Sequence, residues 1–191
     1  MTERPPRGPA RFLHDLVHRP RQFRQAFGIL CCVLVSWLGT ARPWLFPVGA
    51  GLVVLGTAVR LWGSGFVRKN DDLATNGPYR HVRHPLYTGN LLIAIGFAAA
   101  CGLWWGPLLF VALWIYAYPS TIRYEDQKLE GLFGQAWRDW AAVTPAIIPR
   151  LRPSRPYEPA SWSFQLSLMR HAEPLIAVGM IACLVWLQHG G

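Results

Sequence analysis

A chain of 191 residues has room for one domain, yet 52% hydrophobic residues and ten tryptophans exceed what an ordinary soluble domain uses, so the excess must face something other than water. A formal net charge of +9 admits two partners, nucleic acid or an anionic lipid surface, and the placement of the charges separates them. Cys31, Cys32, Cys101 and Cys183 all lie in apolar stretches and show no CxxC or Cys/His spacing, which excludes a zinc site or redox pair and leaves them as small buried hydrophobes.

The first 25 residues are rich in Arg and Pro and lack a short apolar core followed by a small-residue cleavage site, so the first apolar segment is expected to act as its own insertion signal. Within Ala10 to Phe27, the spacing of Phe12, Leu13, Leu16 and Val17 among basic residues predicts a helix lying in the headgroup region. Five apolar stretches follow: Phe27 to Ala41, Trp44 to Trp62, Leu86 to Gly102, Trp104 to Tyr118 and Ala172 to Gln188. A bilayer core needs about 20 helical residues, for which the second and fifth are adequate, while the first and fourth are short and can be extended by flanking Trp and Tyr.

Short connections at Arg42-Pro43 and around Leu103 predict two helical hairpins, one pairing stretches one and two, the other pairing three and four. The fifth stretch is expected to stand apart, with Glu173 at its start solvated at the interface. Gly49, Gly51 and Gly56 in the second stretch, and Gly89 and Gly96 in the third, supply small surfaces for close helix packing in lipid. From Arg123 to Thr144, Leu129, Leu132, Phe133, Trp137 and Trp140 recur at helical intervals and predict an amphipathic helix on the cytoplasmic face. Pro145, Pro149, Pro153, Pro156 and Pro159 then predict an extended, helix-free linker.

Placed on this alternation, eighteen of the nineteen Lys and Arg residues, Arg60 among them, fall on one side, with only Arg42 opposite. Cytoplasmic loops carry such an excess, and a soluble nucleic-acid binder has no reason to show it. The expectation is an all-α polytopic membrane protein with about five transmembrane helices, its N-terminus cytoplasmic, plus a cytoplasmic amphipathic helix, in a bacterial inner (cytoplasmic) membrane. Its segments are a basic interfacial piece (1–26), a transmembrane hairpin (27–62), a core with two spans and a cytoplasmic site (63–149), a Pro-rich linker (150–171) and a C-terminal span (172–191).

This topology brings two polar segments to one face, Asp71 to Tyr87 and Arg123 to Trp140. The first holds Tyr79, His81, Arg83, His84 and Tyr87, with Pro85 where a helix begins. A helix start with free backbone N–H groups favours an anion, and Arg83 and His84 reinforce that preference. Glu125, Asp126 and Glu130 supply the opposite sign. A zwitterionic, part-aromatic ligand satisfies both halves. His81 and His84 lack a third ligand at metal-binding spacing, so no metal is expected. Trp137 and Trp140 read as interfacial anchors.

The run Gly77-Pro78-Tyr79-Arg80-His81-Val82-Arg83-His84-Pro85-Leu86-Tyr87-Thr88-Gly89 resembles the GPYxxxRHPxYxG signature of the integral-membrane methyltransferases related to isoprenylcysteine carboxyl methyltransferase and the phospholipid methyltransferases. Glu125-Asp126, Leu129, Phe133-Gly134, Trp137, Trp140 and Ile148-Pro149 are similar to that family's second pattern. The resemblance covers about Leu55 to Pro149 and implies an S-adenosylmethionine site formed by Leu73, Ala74, Tyr79, Arg83, His84, Pro85, Leu86, Tyr87 and Glu125. The methionine carboxylate is expected at the helix start by His84 and the amino group or ribose at Glu125. Asp126 stands where the family has a second Glu, Trp137 and Trp140 stand for tyrosines, and Arg123 lies two residues before Glu125 where the family's Arg lies four before it. That displacement argues against a prenylcysteine substrate.

The expected reaction is methyl transfer to a lipophilic acceptor reaching the site from the bilayer, with Glu125, Arg123, Asp126 and His81 as candidate catalytic groups. Prenylated or isoprenoid compounds and phospholipid amines are all open as acceptors. Two alternatives stand beside it: an NADPH-dependent enzyme like the membrane sterol reductases, and a non-catalytic membrane assembly protein.

Overall fold

The computed structural model describes residues 20–67, 72–156 and 162–190. Among them the chain is all-helical: α1 (Pro20–Leu38), α2 (Phe46–Ser64), a 3-10 turn (Gly77–Arg80), α3 (Pro85–Ala100), α4 (Gly106–Phe133), α5 (Gln135–Val143), α6 (Phe164–His171) and α7 (Glu173–His189). Proline occupies the first turn of α2, α3, α4 and α7, where its missing N–H costs nothing and its fixed φ suits the helix. The interfacial helix expected over 10–27 lies mostly outside the described residues.

Helix α2 is long and apolar enough to cross a membrane, and Gln25–Leu38, α3 and α7 are shorter apolar helices. Large apolar side chains face outward on α1, α2, α4 and α7, including Trp37 and Val48, Leu108 and Ile115, and Leu175 and Val178. Such a surface suits lipid far better than water.

Helices α2 and α3 meet at backbone contact. A Cβ added to Gly49 would fall 2.5 Å from the Gly96 carbonyl oxygen, and one added to Gly56 would fall 2.6 Å from that of Gly89, with each relation reciprocated. Only glycine permits that approach. Gly51, grouped with these residues on sequence grounds, instead faces open space.

The expected pairing of stretches one and two is replaced by another arrangement. Helix α1 packs chiefly on α4 and α7, and Cys32 and Val35 join Val53, Ile93, Phe97 and Phe110 in the main core. The C-terminal helix does not stand apart either, because Met180, Leu184 and Leu187 are buried in that same core. The reason is partly electrostatic. Glu173, expected at the solvated interface, is buried and bonded bidentately to Arg60, with Nε to Oε2 at 2.9 Å and Nη2 to Oε1 at 2.6 Å. Arg60 also donates to Asn90 Oδ1, so one guanidinium ties α2, α3 and α7 together. It is therefore an interior residue and no part of a charged loop.

Two further expectations change. The amphipathic segment over 123–144 is not one helix, since α4 runs through Pro119 to Phe133 and the chain breaks at Gly134, whose φ of 53° favours glycine. Residues 150–171, expected as linker, contain α6, whose Ser167 hydroxyl meets that of Ser64 at 2.7 Å.

Gly56→Ala and Gly96→Ala should each lower the unfolding free energy by about 1–3 kcal/mol in detergent, because the added methyl meets backbone. Gly51→Ala is the control and should cost nothing. Glu173→Ala should cost about 3–5 kcal/mol by leaving a buried guanidinium unpaired, and the double change Arg60→Met with Glu173→Leu should recover most of that loss. A double variant as unstable as the single one would show that the pair's charge is not what matters.

Candidate functional site

The loop leading into α3 is shaped by a tight turn. Gly77 has a φ of 58°, and the Phe66 ring lies where a side chain on it would go, so only glycine fits. Tyr79 N–H donates to Asn76 O at 3.1 Å and His81 N–H to Pro78 O at 3.0 Å, which closes the turn and buries Pro78 and Tyr79.

The proline-rich segment after α5 is helix-free as expected up to residue 156, but it is no slack tether. It lies along the signature loop: Arg83 N–H donates to Pro145 O at 2.8 Å, His84 N–H to Ala146 O at 3.1 Å and Thr88 Oγ1 to Ile147 O at 2.6 Å. Further along, Arg150 N–H donates to His81 O at 3.0 Å and Ser154 N–H to Arg80 O at 2.7 Å, while the Arg80 guanidinium returns to Arg155 O. Prolines keep this strap extended, so its carbonyls point outward for pairing. One consequence bears on the anion site expected at the start of α3. The amides of Arg83 and His84 are taken by the strap, Pro85 has none, and those of Tyr87 and Thr88 return to His84 O. Of that turn's amides only Leu86's is not accounted for by these bonds, so an anion bound there would be met chiefly by side chains.

Those side chains meet the acidic pair of α4. Asp126 accepts from Arg83 Nη2 at 3.1 Å through Oδ2 and from His84 Nε2 at 3.0 Å through Oδ1. His84 Nδ1 stands 3.7 Å from Glu125 Oε2, and Tyr87 donates its hydroxyl to Glu125 Oε1. His84 is buried between two carboxylates, of which Glu125 is the more exposed at 37%. The Tyr79 phenol is pushed far above its usual range, first by burial and then by the negative charges of Glu125 and Glu173, so it stays neutral.

Two donors in this region have no partner. Arg83 spends Nη2 on Asp126 and Nη1 on Ala141 O at 3.2 Å, which leaves its buried Nε–H unmatched. Trp137, whose ring lies 5.8 Å from the Arg83 guanidinium carbon, also buries an unmatched Nε1–H. Leaving two such groups dry costs about 1–3 kcal/mol each, so an acceptor placed between them would be stabilising. Unmatched donors beside a carboxylate pair suit a ligand carrying both signs, and the residues present fit S-adenosylmethionine on this ground.

The structure thus gathers Arg83, His84, Tyr87, Glu125 and Asp126, with Tyr79, Pro85 and Leu86 in the same loop and helix start. Leu73 and Ala74 are half-buried ahead of the turn. His81 is bound instead to the strap, its Nδ1 2.8 Å from Arg150 O, and Arg123 is exposed on α4 outside the contacts that assemble the cluster. Trp137, read from sequence as an interfacial anchor, belongs to the cluster, and Trp140 is fully buried with its Nε1 donating to Tyr79 O. Their three-residue spacing put both on one helix face, but which surface that face meets is a tertiary matter.

An aromatic column leads away from the cluster. The His84 and Tyr87 rings stack at 5.4 Å, Tyr87 meets Tyr118 edge-on at 5.4 Å, and Tyr118 stacks on Trp114 at 3.9 Å.

Asp126→Ala should strip the buried His84 and half-buried Arg83 of their shared acceptor and lower stability by about 1–3 kcal/mol, read as a drop in melting temperature in detergent. An unchanged melting temperature would mean the cluster contributes nothing to folding.

The sequence profile of the phospholipid methyltransferase family matches residues 23–136. The chain is 38% identical over 118 residues to the cobalt-zinc-cadmium resistance protein CzcN of Cupriavidus metallidurans, covering 60% of this chain and 54% of that protein. It is 35% identical over 118 residues to the nickel-cobalt-cadmium resistance protein NccN of Alcaligenes xylosoxydans xylosoxydans, covering 61% and 54%. A protein-S-isoprenylcysteine O-methyltransferase of Schizosaccharomyces pombe is 33% identical over 85 residues, covering 43% of this chain and 36% of that enzyme. The matches to the first two proteins span about half of each of them. No solved structure matches.

Proposed function

The chain belongs to the phospholipid methyltransferase family, whose members are membrane methyltransferases, and on that premise we propose that it moves a methyl group from S-adenosylmethionine to a lipophilic acceptor at the cytoplasmic membrane face. The observation that carries this reading is the pair of buried, unmatched donors, Arg83 Nε and Trp137 Nε1, set beside the Glu125–Asp126 carboxylates. Their combination is what a ligand with a carboxylate and an ammonium or sulfonium asks for.

In this reading Arg83 and Trp137 hold the cofactor's carboxylate, Glu125 holds its amino group or ribose, and Tyr79, Pro85, Leu86 and Tyr87 line the remainder, with Leu73 and Ala74 at the loop side. When bound, the cofactor would supply an activated methyl whose leaving group is a neutral thioether, for transfer to a lone pair of the acceptor. The protein's share is alignment and exclusion of water. Asp126 holds Arg83 and His84 in place. An amine or thiol acceptor must also lose a proton, and the more exposed Glu125 is the group assigned to take it. Arg123 and His81 lie outside the cluster and are assigned to its approach and to the strap.

The topology proposed is five spans with the N-terminus cytoplasmic, made by α1, α2, α3, the apolar part of α4, and α7. It rests on the outward apolar side chains and on the one-sided distribution of Lys and Arg. The polar end of α4 and the strap would then form the cytoplasmic face, with residues 63–149 carrying the site, 150–171 joining it to the last span and 1–26 at the interface.

Titration with S-adenosylhomocysteine tests this directly. The chain should bind it, and Trp137→Phe and Arg83→Lys should each weaken binding about 5- to 30-fold, equivalent to roughly 1–2 kcal/mol for one lost hydrogen bond. Radiolabelled methyl should pass into a lipid fraction of host membranes. Binding of NADPH alone, or no label in any fraction, would sink the proposal.

A further inference from the structure

The strap that runs along the signature loop carries a short projecting tip between two points of attachment. Arg150 N–H donates to His81 O at 3.0 Å and Ser154 N–H to Arg80 O at 2.7 Å, so the chain is held to the loop at both positions. The Ser154 hydroxyl reinforces the second hold, 2.7 Å from Arg80 O and 2.8 Å from the hydroxyl of the buried Thr144. Leu151, Arg152 and Pro153 lie between these points and all three are exposed, Leu151 at 99%. Ile148, just ahead of the first hold, is 78% exposed.

The bonds that fix the strap are polar, and the Leu151 side chain takes no part in them. On either side of it, Arg150 turns Nη1 onto Val143 O at 2.6 Å, and neither Arg150 nor Arg152 pairs with a carboxylate among the described residues. The tip therefore presents apolar surface and uncompensated positive charge in one place. Its level in the fold is set by α3. Thr88, on the first turn of that helix, donates its hydroxyl to Ile147 O at 2.6 Å, so the strap lies beside the end of an apolar helix. Where α3 enters a bilayer, that level is the headgroup boundary.

Other partners answer only half of this chemistry. A nucleic-acid backbone would take the arginines and leave Leu151 and Ile148 in water. A dry apolar groove would take the leucine and strip Arg152 of water without a counterion. The boundary of an acidic bilayer serves both, because an apolar side chain enters the acyl region while a neighbouring arginine keeps its head among the headgroups.

We propose that the strap tip docks on the bilayer surface, with Leu151 in the acyl boundary and Arg152 drawing acidic phospholipids to it. The inference rests on the membrane placement of α3 given above and not on the methyl-transfer reading. Because the same strap accepts the amides of Arg83 and His84, the docking ties the loop of the candidate site to the lipid surface.

The test uses the full chain in nanodiscs made of equal parts phosphatidylcholine and phosphatidylglycerol, with the photo-cross-linking residue p-benzoylphenylalanine in place of Leu151. After irradiation, peptides containing position 151 are analysed for lipid adducts by mass spectrometry. The acidic lipid should exceed the zwitterionic one in these adducts by about fivefold, the factor one arginine supplies at a negative surface. Arg152→Gln should bring the two close to parity, and Arg152→Lys should keep the excess. The same probe in place of Ile115, exposed on the apolar part of α4, should give adducts of both lipids at parity. Lipid adducts at position 115 with none at 151, adducts of 151 with another protein chain, parity at 151, or an excess that survives Arg152→Gln would each overturn the docking. No lipid adduct at either position would overturn the membrane placement and the docking with it, while S-adenosylhomocysteine binding by the same sample reports separately on the methyl-transfer reading.

Discussion

The backbone contact between α2 and α3 is the constraint from which the rest follows. Two glycine pairs, Gly49 with Gly96 and Gly56 with Gly89, let these helices approach until a methyl group would not fit between them. The same closeness brings the Arg60 stem against Gly89 and its guanidinium to Asn90 one residue further on. A charge carried that deep must find a counterion, and Glu173 provides it from the start of α7. The last helix is therefore drawn into the core by an interaction whose origin is the packing of two others.

The second organising feature is the length of α4. One continuous helix of 28 residues carries apolar side chains such as Leu108 and Val111 at one end and Glu125 and Asp126 at the other. Because it is rigid, the carboxylates are delivered to a fixed height above the apolar region, where Arg83 and His84 arrive just ahead of α3 and Tyr87 on its first turn. The proline-rich strap takes the amides of Arg83 and His84, so their side chains rather than their backbone face the carboxylates. The charges are thereby gathered on one side of the bundle, and an aromatic column leads away from them.

Much was legible in the residues alone. The all-helical class followed from apolar stretches with short, proline-marked connections, and the family followed from the unbroken run Gly77 to Gly89 with the acidic and aromatic pattern after it. The meeting of those two segments was legible as well, because two stretches joined by a short turn must return the chain to the side it left. Glycine spacing indicated close helix packing, though not that Gly51 would be left out of it.

Other features belong to the tertiary structure. Arg60 looks like any basic residue near a helix end, and Glu173 like any acid at a helix start; their pairing joins positions 113 residues apart and has no local signature. Nor does sequence tell whether Trp137 faces lipid or Arg83, since helical periodicity defines a face and not its neighbour. The break at Gly134 and the continuity of α4 through Pro119 were decided by packing that overrides local preference. Sequence determined the elements and the chemistry they carry, because both depend on near neighbours in the chain. Only the tertiary structure decided which charges are buried together, because that depends on how closely distant backbones can approach.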